Sequence, residues 1–511
     1  MQRRTLNQAD IEILILLTAI LFGGLFRLIP SSLAGFPVND GGMFYSMIVD
    51  LQANHYALPE FTTYNDLSIP FAYPPLGFYL GAFLSSLFNI APEALLTWLP
   101  GILSTLCVPA IFVLAKEIFK DRLKAAVAAL FFAVTPHMSA WLSMGGGLTR
   151  SLGTFFMLLT ITFVYRLYNE KTSPRWTILW VILFAGLTIL SHTESAVFAV
   201  AISFYILLWK LRSWDGVRKG ALVSVGVFIL ASPWLGAVLS RHGIEPFLSA
   251  LQTGGHSLDS ILRIININAI TGERYLDLLG AVGVLGFILL IARGQFFIPL
   301  LLVVIQIAQP RSAHTIGNIP LALAGAFFIV EILIPNPKLV RAFLAVTLPF
   351  ILMNNLHSGF LLSNSRVSAD ELNAMEWIDH NLPEGSTFLV INGETAGECD
   401  ALTEWFPSIA KRTSVATMQG REWLIGDRFV EFIARRDALQ RCMDSDLNCL
   451  LERSQDFDSA DYIFISVNRS CSSQGNAENT SPLLASLRAS GQFELIYDTD
   501  QSFIFLQSQD R

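Results

Sequence analysis

Near the start of the chain, Ile11-Glu12-Ile13-Leu14-Ile15-Leu16-Leu17-Thr18-Ala19-Ile20-Leu21-Phe22-Gly23-Gly24-Leu25-Phe26 is followed, after a short link, by Asn39-Asp40-Gly41-Gly42-Met43-Phe44-Tyr45. The first stretch carries a single charge in an apolar run of the kind that crosses a membrane as a helix. No small-residue cleavage pattern follows Phe26, so it reads as a retained span rather than a signal peptide. The second stretch sets a carboxylate and two glycines just outside that span. Two local readings stand side by side. Asp40 is the N-cap of an amphipathic helix over Met43–Leu51, or the glycines let the carboxylate approach a ligand closely.

The rest of the chain repeats the first signal. Of 511 residues, 53% are hydrophobic and 15% are charged, against about 25% charged in an average soluble protein. The mean hydropathy is +0.52. These values exclude a disordered chain, a coiled coil, a small disulfide scaffold and a cytosolic enzyme, and a net charge of −7 argues against nucleic acid as a partner. Further apolar runs start near Leu95, Ala125, Leu152, Trp176, Ala196, Ala221, Leu276, Phe296, Ile319 and Ala342. The expected fold is therefore a multi-span α-helical membrane protein of about eleven transmembrane helices, at roughly 20 residues per span.

Charge divides the chain. Residues 363–511 carry 12 Lys/Arg and 24 Asp/Glu, whereas residues 1–362 carry 22 and 17. The expectation is a membrane domain over 1–362 and an acidic domain over 363–511. If the short run Leu76–Ile90 is interfacial or re-entrant, 16 Lys/Arg of the membrane part fall on one side and six on the other. The positive-inside rule then makes the N-terminus cytoplasmic and the C-terminal domain extracytoplasmic, in a multi-pass protein of the cell (plasma) membrane. That domain reads as α/β: helices over Glu371–Asp379 and Arg428–Arg441, and strands over Thr387–Ile391, Tyr462–Ser466, Phe493–Tyr497 and Phe503–Leu506. Cys399, Cys442, Cys449 and Cys471 fall in it, where disulfides are permitted; Cys442–Cys449 with Cys399–Cys471 is a plausible pairing, free thiols the alternative.

The first outer loop, 30–93, contains no Lys or Arg but holds Asp40, Asp50, His55, Glu60, Asp66 and Glu93. Long ordered loops are usually functional. An Asp shortly after the first span, an amphipathic helix, and then Phe71-Ala72-Tyr73-Pro74-Pro75-Leu76-Gly77-Phe78-Tyr79-Leu80 together resemble the GT-C superfamily of membrane glycosyltransferases. That superfamily includes the protein O-mannosyltransferases, the lipid A aminoarabinose transferases and the catalytic subunit of oligosaccharyltransferase. The likeness is best over roughly the first 200 residues, and the plan of many spans followed by an outer domain matches too. It implies a sugar donor on polyprenyl phosphate and an acceptor (glycan, lipid or protein) at the outer face. It also implies Asp40 as the general base of an inverting transfer, a role worth about 10²–10⁴-fold. Tyr45 and Tyr73, inside the two motifs, are candidates for sugar contact.

One segment departs from the family. The next outer loop, Ser143-Met144-Gly145-Gly146-Gly147-Leu148-Thr149-Arg150, lacks the second acidic residue that several members carry. It offers instead a glycine-rich anion nest and an Arg for donor phosphate; the plainer reading is a tight turn with a snorkelling Arg. Ser191-His192-Thr193-Glu194 brings His192 and Glu194 to the end of a span. They orient Asp40, contact the sugar, or join Asp40 in holding a divalent metal; the plainer reading is a polar turn. Among the other outer cations, Arg27, Arg241, Arg263, Arg274 and Arg311, the pair Arg311 and His314 is preferred for donor phosphate, with lipid headgroup contact as the competing role. Glu404-Trp405-Phe406-Pro407 and Gln419-Gly420-Arg421-Glu422-Trp423 read as sugar or peptide platforms or as ordinary core tryptophans. The rival reading of a different class is a polytopic transporter or lipid-binding protein without chemistry; no paired repeat supports it.

Overall fold

The computed structural model describes residues 7–169, 175–210, 214–252, 278–469 and 481–507. Helices dominate. In chain order they are α1 (Gln8–Ala34), α2 (Gly42–Ala53), α3 (Leu76–Phe88), α4 (Pro92–Phe119), α5 (Arg122–Ala133), α6 (Pro136–Ser143), α7 (Gly147–Asn169), α8 (Arg175–Ser191), α9 (Thr193–Lys210), α10 (Trp214–His242) and α11 (Glu245–Gln252). Then come α12 (Leu278–Ala292), α13 (Phe297–Ala308), α14 (Asn318–Phe328, extended by a π turn over Ile329–Leu333) and α15 (Pro337–Asn364). Among the described residues seven helices are long and apolar enough to cross a membrane, while α3, α8, α12 and α13 are apolar but shorter. Rows of exposed apolar side chains on α10, including Leu222, Val225, Phe228 and Ile229, face outward as a lipid-facing surface requires.

The apolar run beginning at Ala125 is broken rather than continuous. α5 ends at Ala133 and α6 begins at Pro136, because Pro136 has no N–H to offer and its ring blocks the preceding turn. The carbonyls freed at the break are taken up from two other helices. Arg27 Nη1 donates to Ala133 O at 2.8 Å and Asn355 Nδ2 donates to Val134 O at 2.9 Å. Arg27 is therefore not an outer-edge cation: it is fully buried in the bundle, donating also to Ser104 Oγ and Gly23 O. Arg263 and Arg274 lie outside the described residues.

The first loop folds into α2, a short hairpin of β1 (Phe61–Thr62) and β2 (Ile69–Pro70), and α3. Asp50 secures the hairpin, accepting from Thr63 N at 3.0 Å and Thr63 Oγ1 at 2.7 Å. The C-terminal segment contains α16 (Ala369–Asn381), α17 (Ala401–Ile409) and a five-stranded sheet. Its strands are β3 (Thr387–Ile391), β4 (Thr413–Ser414), β5 (Tyr462–Ser466), β6 (Phe493–Asp498) and β7 (Ser502–Gln507), in the order β4-β3-β5-β7-β6. β3 runs parallel to β4 and β5, and β7 is antiparallel to β5 and β6. Cys442 and Cys449 form a disulfide; Cys471 lies outside the described residues.

Alternation along the strands splits the sheet into two faces. Phe388, Val390 and Phe464 point to one side, Leu389, Ile391, Ile463 and Ile465 to the other. The first side does not form a core of its own. It joins Met43, Phe44, Met47, Ile48, Phe71 and Phe78 of the first loop with Trp405, Phe406 and Trp423 in one apolar cluster. Asn65 seals the joint by bonding both backbone groups of Ser414, its Oδ1 accepting at 2.6 Å and its Nδ2 donating at 3.0 Å. The C-terminal segment is thus packed directly on the loop that carries Asp40.

Candidate active site

Asp40 lies where the first loop, the α6–α7 turn and α17 meet. Asp40 does not cap α2: Gly41 occupies the N-cap position and no side chain of the cap residue bonds the helix. Its carboxylate turns instead to the α6–α7 turn. Gly146 N donates to Oδ1 at 2.9 Å and Arg150 Nη2 donates to Oδ2 at 2.7 Å. A Cβ on Gly145 would strike the carbonyl oxygen of Asp40, and one on Gly146 would meet its carboxylate at 2.5 Å. These two glycines admit Asp40. The nest expected for a phosphate holds an anion, but the anion is the side chain of Asp40.

Arg150 is fixed from both sides. Its guanidinium lies 5.3 Å from the ring centroid of Trp141, a cation–π arrangement, and Nη1 donates to Trp141 O at 3.5 Å. Tyr73 comes next. Its hydroxyl is 3.4 Å from Thr149 Oγ1, and its ring packs on Phe44, Phe78, Trp423 and His192. Burial pushes the phenol up to about 12, with Arg150 opposing that rise and the charges of Glu194 and Asp40 adding to it. Tyr73 therefore stays protonated, a donor beside both the Asp40–Arg150 pair and Glu194.

His192 occupies the single-residue break between α8 and α9, where its Nδ1 accepts from Ser195 N at 3.3 Å and lies 3.2 Å from Ser195 Oγ. It caps α9, and α7 packs so closely there that a Cβ on Gly153 would reach His192 Cβ at 2.6 Å. Glu194 Oε2 accepts from Ser312 Oγ at 2.7 Å. Arg311, exposed beside Ser312, is within electrostatic reach of both Glu194 and Glu422. His314 is exposed on the adjoining turn Ala313–Ile316. Tyr45 sits one turn beyond Asp40 and packs against Trp405 at 6.1 Å, with Glu93 and Lys411 as its charged neighbours. Arg241 and His242 bind loop carbonyls at Leu58, Pro59 and Glu60, so they fasten the first loop to α10.

The geometry thus links Asp40, Arg150, Tyr73, His192, Glu194 and Arg311 in one chain of polar and charged neighbours. It does not gather the candidate metal ligands Asp40, His192 and Glu194 into one set. Among the described residues no group of three His, Cys, Asp or Glu side chains is placed to hold a metal ion. Asp40 has both oxygens engaged, His192 caps a helix through Nδ1, and Glu194 is bonded by a serine. As they stand, the three side chains serve separate protein contacts and are not gathered into one ligand set.

Two residues of the C-terminal segment complete the surroundings. Glu404 Oε1 accepts from Gly41 N at 3.4 Å, and burial, with the Asp40 charge adding to it, holds the Glu404 carboxyl well above the usual carboxylate range. Burial also raises Glu422, against its backbone bonds, the Arg311 charge and the Trp423 indole. Trp405 is 1% exposed and Trp423 7% exposed, so neither is a surface platform. Trp405 is a core residue that reaches the first loop beside Asp40, its Nε1 donating to Asn39 O at 3.0 Å.

Comparison with known proteins bears on the fold. The family model described as dolichyl-phosphate-mannose-protein mannosyltransferase matches residues 72–236, a range that holds Tyr73, Arg150, His192 and Glu194 but not Asp40. ArnT from Cupriavidus metallidurans superposes with a TM-score of 0.54 at 13% identity, over 96% of this chain and 97% of that one. The chain has the fold of the GT-C membrane glycosyltransferases. The oligosaccharyltransferase of Archaeoglobus fulgidus, determined with zinc and sulfate, shares this GT-C fold with a TM-score of 0.51 at 14% identity, over 97% of this chain and 73% of that one. The mycobacterial arabinofuranosyltransferase AftD gives 0.53 at 13% identity over 97% of this chain, which spans only 40% of AftD. No curated protein sequence matches the chain.

Proposed function

We propose that this GT-C protein transfers a sugar from a polyprenyl-phosphate donor to an acceptor at the outer face of the cell membrane, with inversion, and that Asp40 is the general base. The observation that supports the reading is the setting of Asp40: one carboxylate held by Gly146 N–H and Arg150, with Tyr73 near this pair and near Glu194, and Arg311 near Glu194 in turn.

In this scheme the acceptor hydroxyl or amine attacks the anomeric carbon, a bond forms there, and the bond from that carbon to the phosphate oxygen breaks. The acceptor proton passes to Asp40 and the electron pair leaves on phosphate. Each oxygen of Asp40 has a second lone pair beyond the bond it accepts, so the ion pair leaves capacity for the acceptor proton. Arg150 can share its fork of donors between Asp40 and the departing phosphate, while Arg311 supplies a second cation at the edge of the site. Phosphate is a good leaving group, so cationic help suffices without a second acid. The reading sets the N-terminus in the cytoplasm and residues 363–511 outside, with the acceptor a glycan, lipid or protein.

The test is turnover of polyprenyl-phosphate-linked mannose, glucose and arabinose by the protein in lipid, comparing wild type with Asp40→Asn. Sugar release by wild type and its loss in the variant, with donor binding kept, supports the reading. Equal turnover in both removes Asp40 from the mechanism, and failure of all three donors to bind directs attention to transport instead.

A further inference from the structure

α17 of the C-terminal segment and the residues 39–42 of the first loop interlock across the whole of their contact. Gly41 N donates to Glu404 Oε1 at 3.4 Å, and Met43 N–H is a second backbone partner of the same carboxyl. These are orphan donors of the first turn of α2, which has no cap from its own sequence neighbours and so leaves them to be met from elsewhere. Trp405 Nε1 donates to Asn39 O at 3.0 Å, Ser408 Oγ to Gly42 O at 2.6 Å, and Tyr64 OH to Glu404 O at 2.7 Å. Ser46 Oγ and Ser408 Oγ are 2.9 Å apart. The two glycines after Asp40 are needed for this approach. A Cβ on Gly42 would run into Glu404 O, and one on Gly41, where φ is +142°, would meet the Trp405 ring at 2.9 Å.

We infer that Glu404 is a positioning residue for Asp40: it caps α2 from the C-terminal segment and thereby fixes the backbone on which the catalytic carboxylate stands. The inference rests on the proposed role of Asp40 and adds a use for the C-terminal segment. Asp40 is then held from two sides. Gly146 and Arg150 fix its side chain, and Glu404, Trp405 and Ser408 fix its main chain. A carboxyl that acts by accepting N–H bonds is replaceable by an amide, whose oxygen accepts equally. Alanine leaves both donors buried and unmet.

Hydrogen exchange of the amides of residues 41–44, followed in lipid nanodiscs for wild type, Glu404→Ala, Glu404→Gln and Ser408→Ala, tests the clamp. Turnover of the three polyprenyl-phosphate sugars is measured beside it. Glu404→Ala is expected to speed exchange and to lower kcat about tenfold or more with KM nearly unchanged, since misplacement of about 1 Å can cost 10²-fold. Glu404→Gln should restore most of both. Unchanged exchange in Glu404→Ala, or faster exchange with unchanged kcat, overturns the inference. If Glu404→Ala does not fold, Ser408→Ala must show the same paired loss, and wild-type behaviour there overturns it equally. Should Asp40→Asn turn over like wild type, the proposed function fails on its own. The exchange data then still decide whether Glu404 holds the loop.

Discussion

Arg150 Nη2 stands 2.7 Å from Asp40 Oδ2, and the two residues are brought together by a turn of three glycines. Both side chains are partly shielded, 24% and 13% exposed, so the pair is neither a screened surface bridge nor a fully buried one. An interaction of that kind has a measurable coupling. The double cycle Asp40→Asn with Arg150→Gln should give an interaction energy of about 0.5–3 kcal/mol in thermal or denaturant unfolding. A value near zero would show that the two side chains do not act as a unit.

Arg150→Lys keeps the charge but loses the planar fork that serves Asp40 and Trp141 O together. Under the proposed mechanism kcat should fall by about 10²-fold, the scale of losing one charge-stabilising donor, with donor KM changed far less. Wild-type kcat in this variant would mean that a point charge is enough and that the geometry of the fork is incidental.

Gly146→Ala tests the cradle from the other side. The new methyl would meet Asp40 Oδ2 at 2.5 Å, and nothing in the backbone conformation of Gly146 itself demands glycine. The expected outcome is at least about a tenfold loss of turnover from a displaced carboxylate, with the thermal midpoint nearly unchanged. Retained activity would show that Asp40 works from a different rotamer than the one seen here.

The elements of this structure were largely legible because each is encoded by local pattern. The amphipathic run at Met43–Leu51 became α2, and the strands at Thr387–Ile391 and Tyr462–Ser466 have the expected ends. The break before Pro136 was also written in the sequence, but the apolar composition on both sides hid it. What was not legible is pairing at long range. The glycine-rich turn with Arg150 reads locally either as an anion site or as a tight turn with a snorkelling Arg; the anion it holds, Asp40, lies 106 residues away from Gly146. Glu404 is 363 residues from Gly41, and no periodicity in one chain connects them. For the tryptophans beside Glu404 and Glu422 the sequence leaves platform and core both open, and burial makes them part of the joint between loop and sheet.

Burial raises both Glu404 and Glu422 above their ordinary value of 4.5, which has a definite sign for stability. A carboxyl that holds its proton more tightly when folded gives the folded state most support below the unfolded value, and that support declines as pH rises above it. The side chains facing Glu404 are Asp40 from the first loop, Glu422 from its own segment and the neutral Tyr64, none of them a cation, and only the Gly41 and Met43 N–H bonds favour the charge, against the larger effect of burial. The thermal midpoint of wild type should therefore fall between pH 5 and 8 more steeply than that of Glu404→Gln. Parallel curves for the two proteins would place the pH sensitivity elsewhere.

Arg311 separates phosphate binding from architecture. It is exposed on the turn after α13, so Arg311→Ala should leave stability within about 0.5 kcal/mol, as surface changes usually do. If it receives the donor phosphate, the variant loses one hydrogen bond to a charged group, about 1.5–3 kcal/mol, and the KM for donor should rise by roughly tenfold or more at constant kcat. Added salt should weaken donor binding to wild type more than to the variant, because the lost contact is the one that ions screen. An unchanged KM together with equal salt dependence would leave Arg150 as the phosphate cation of the scheme and make Arg311 a partner of Glu194 and Glu422 alone.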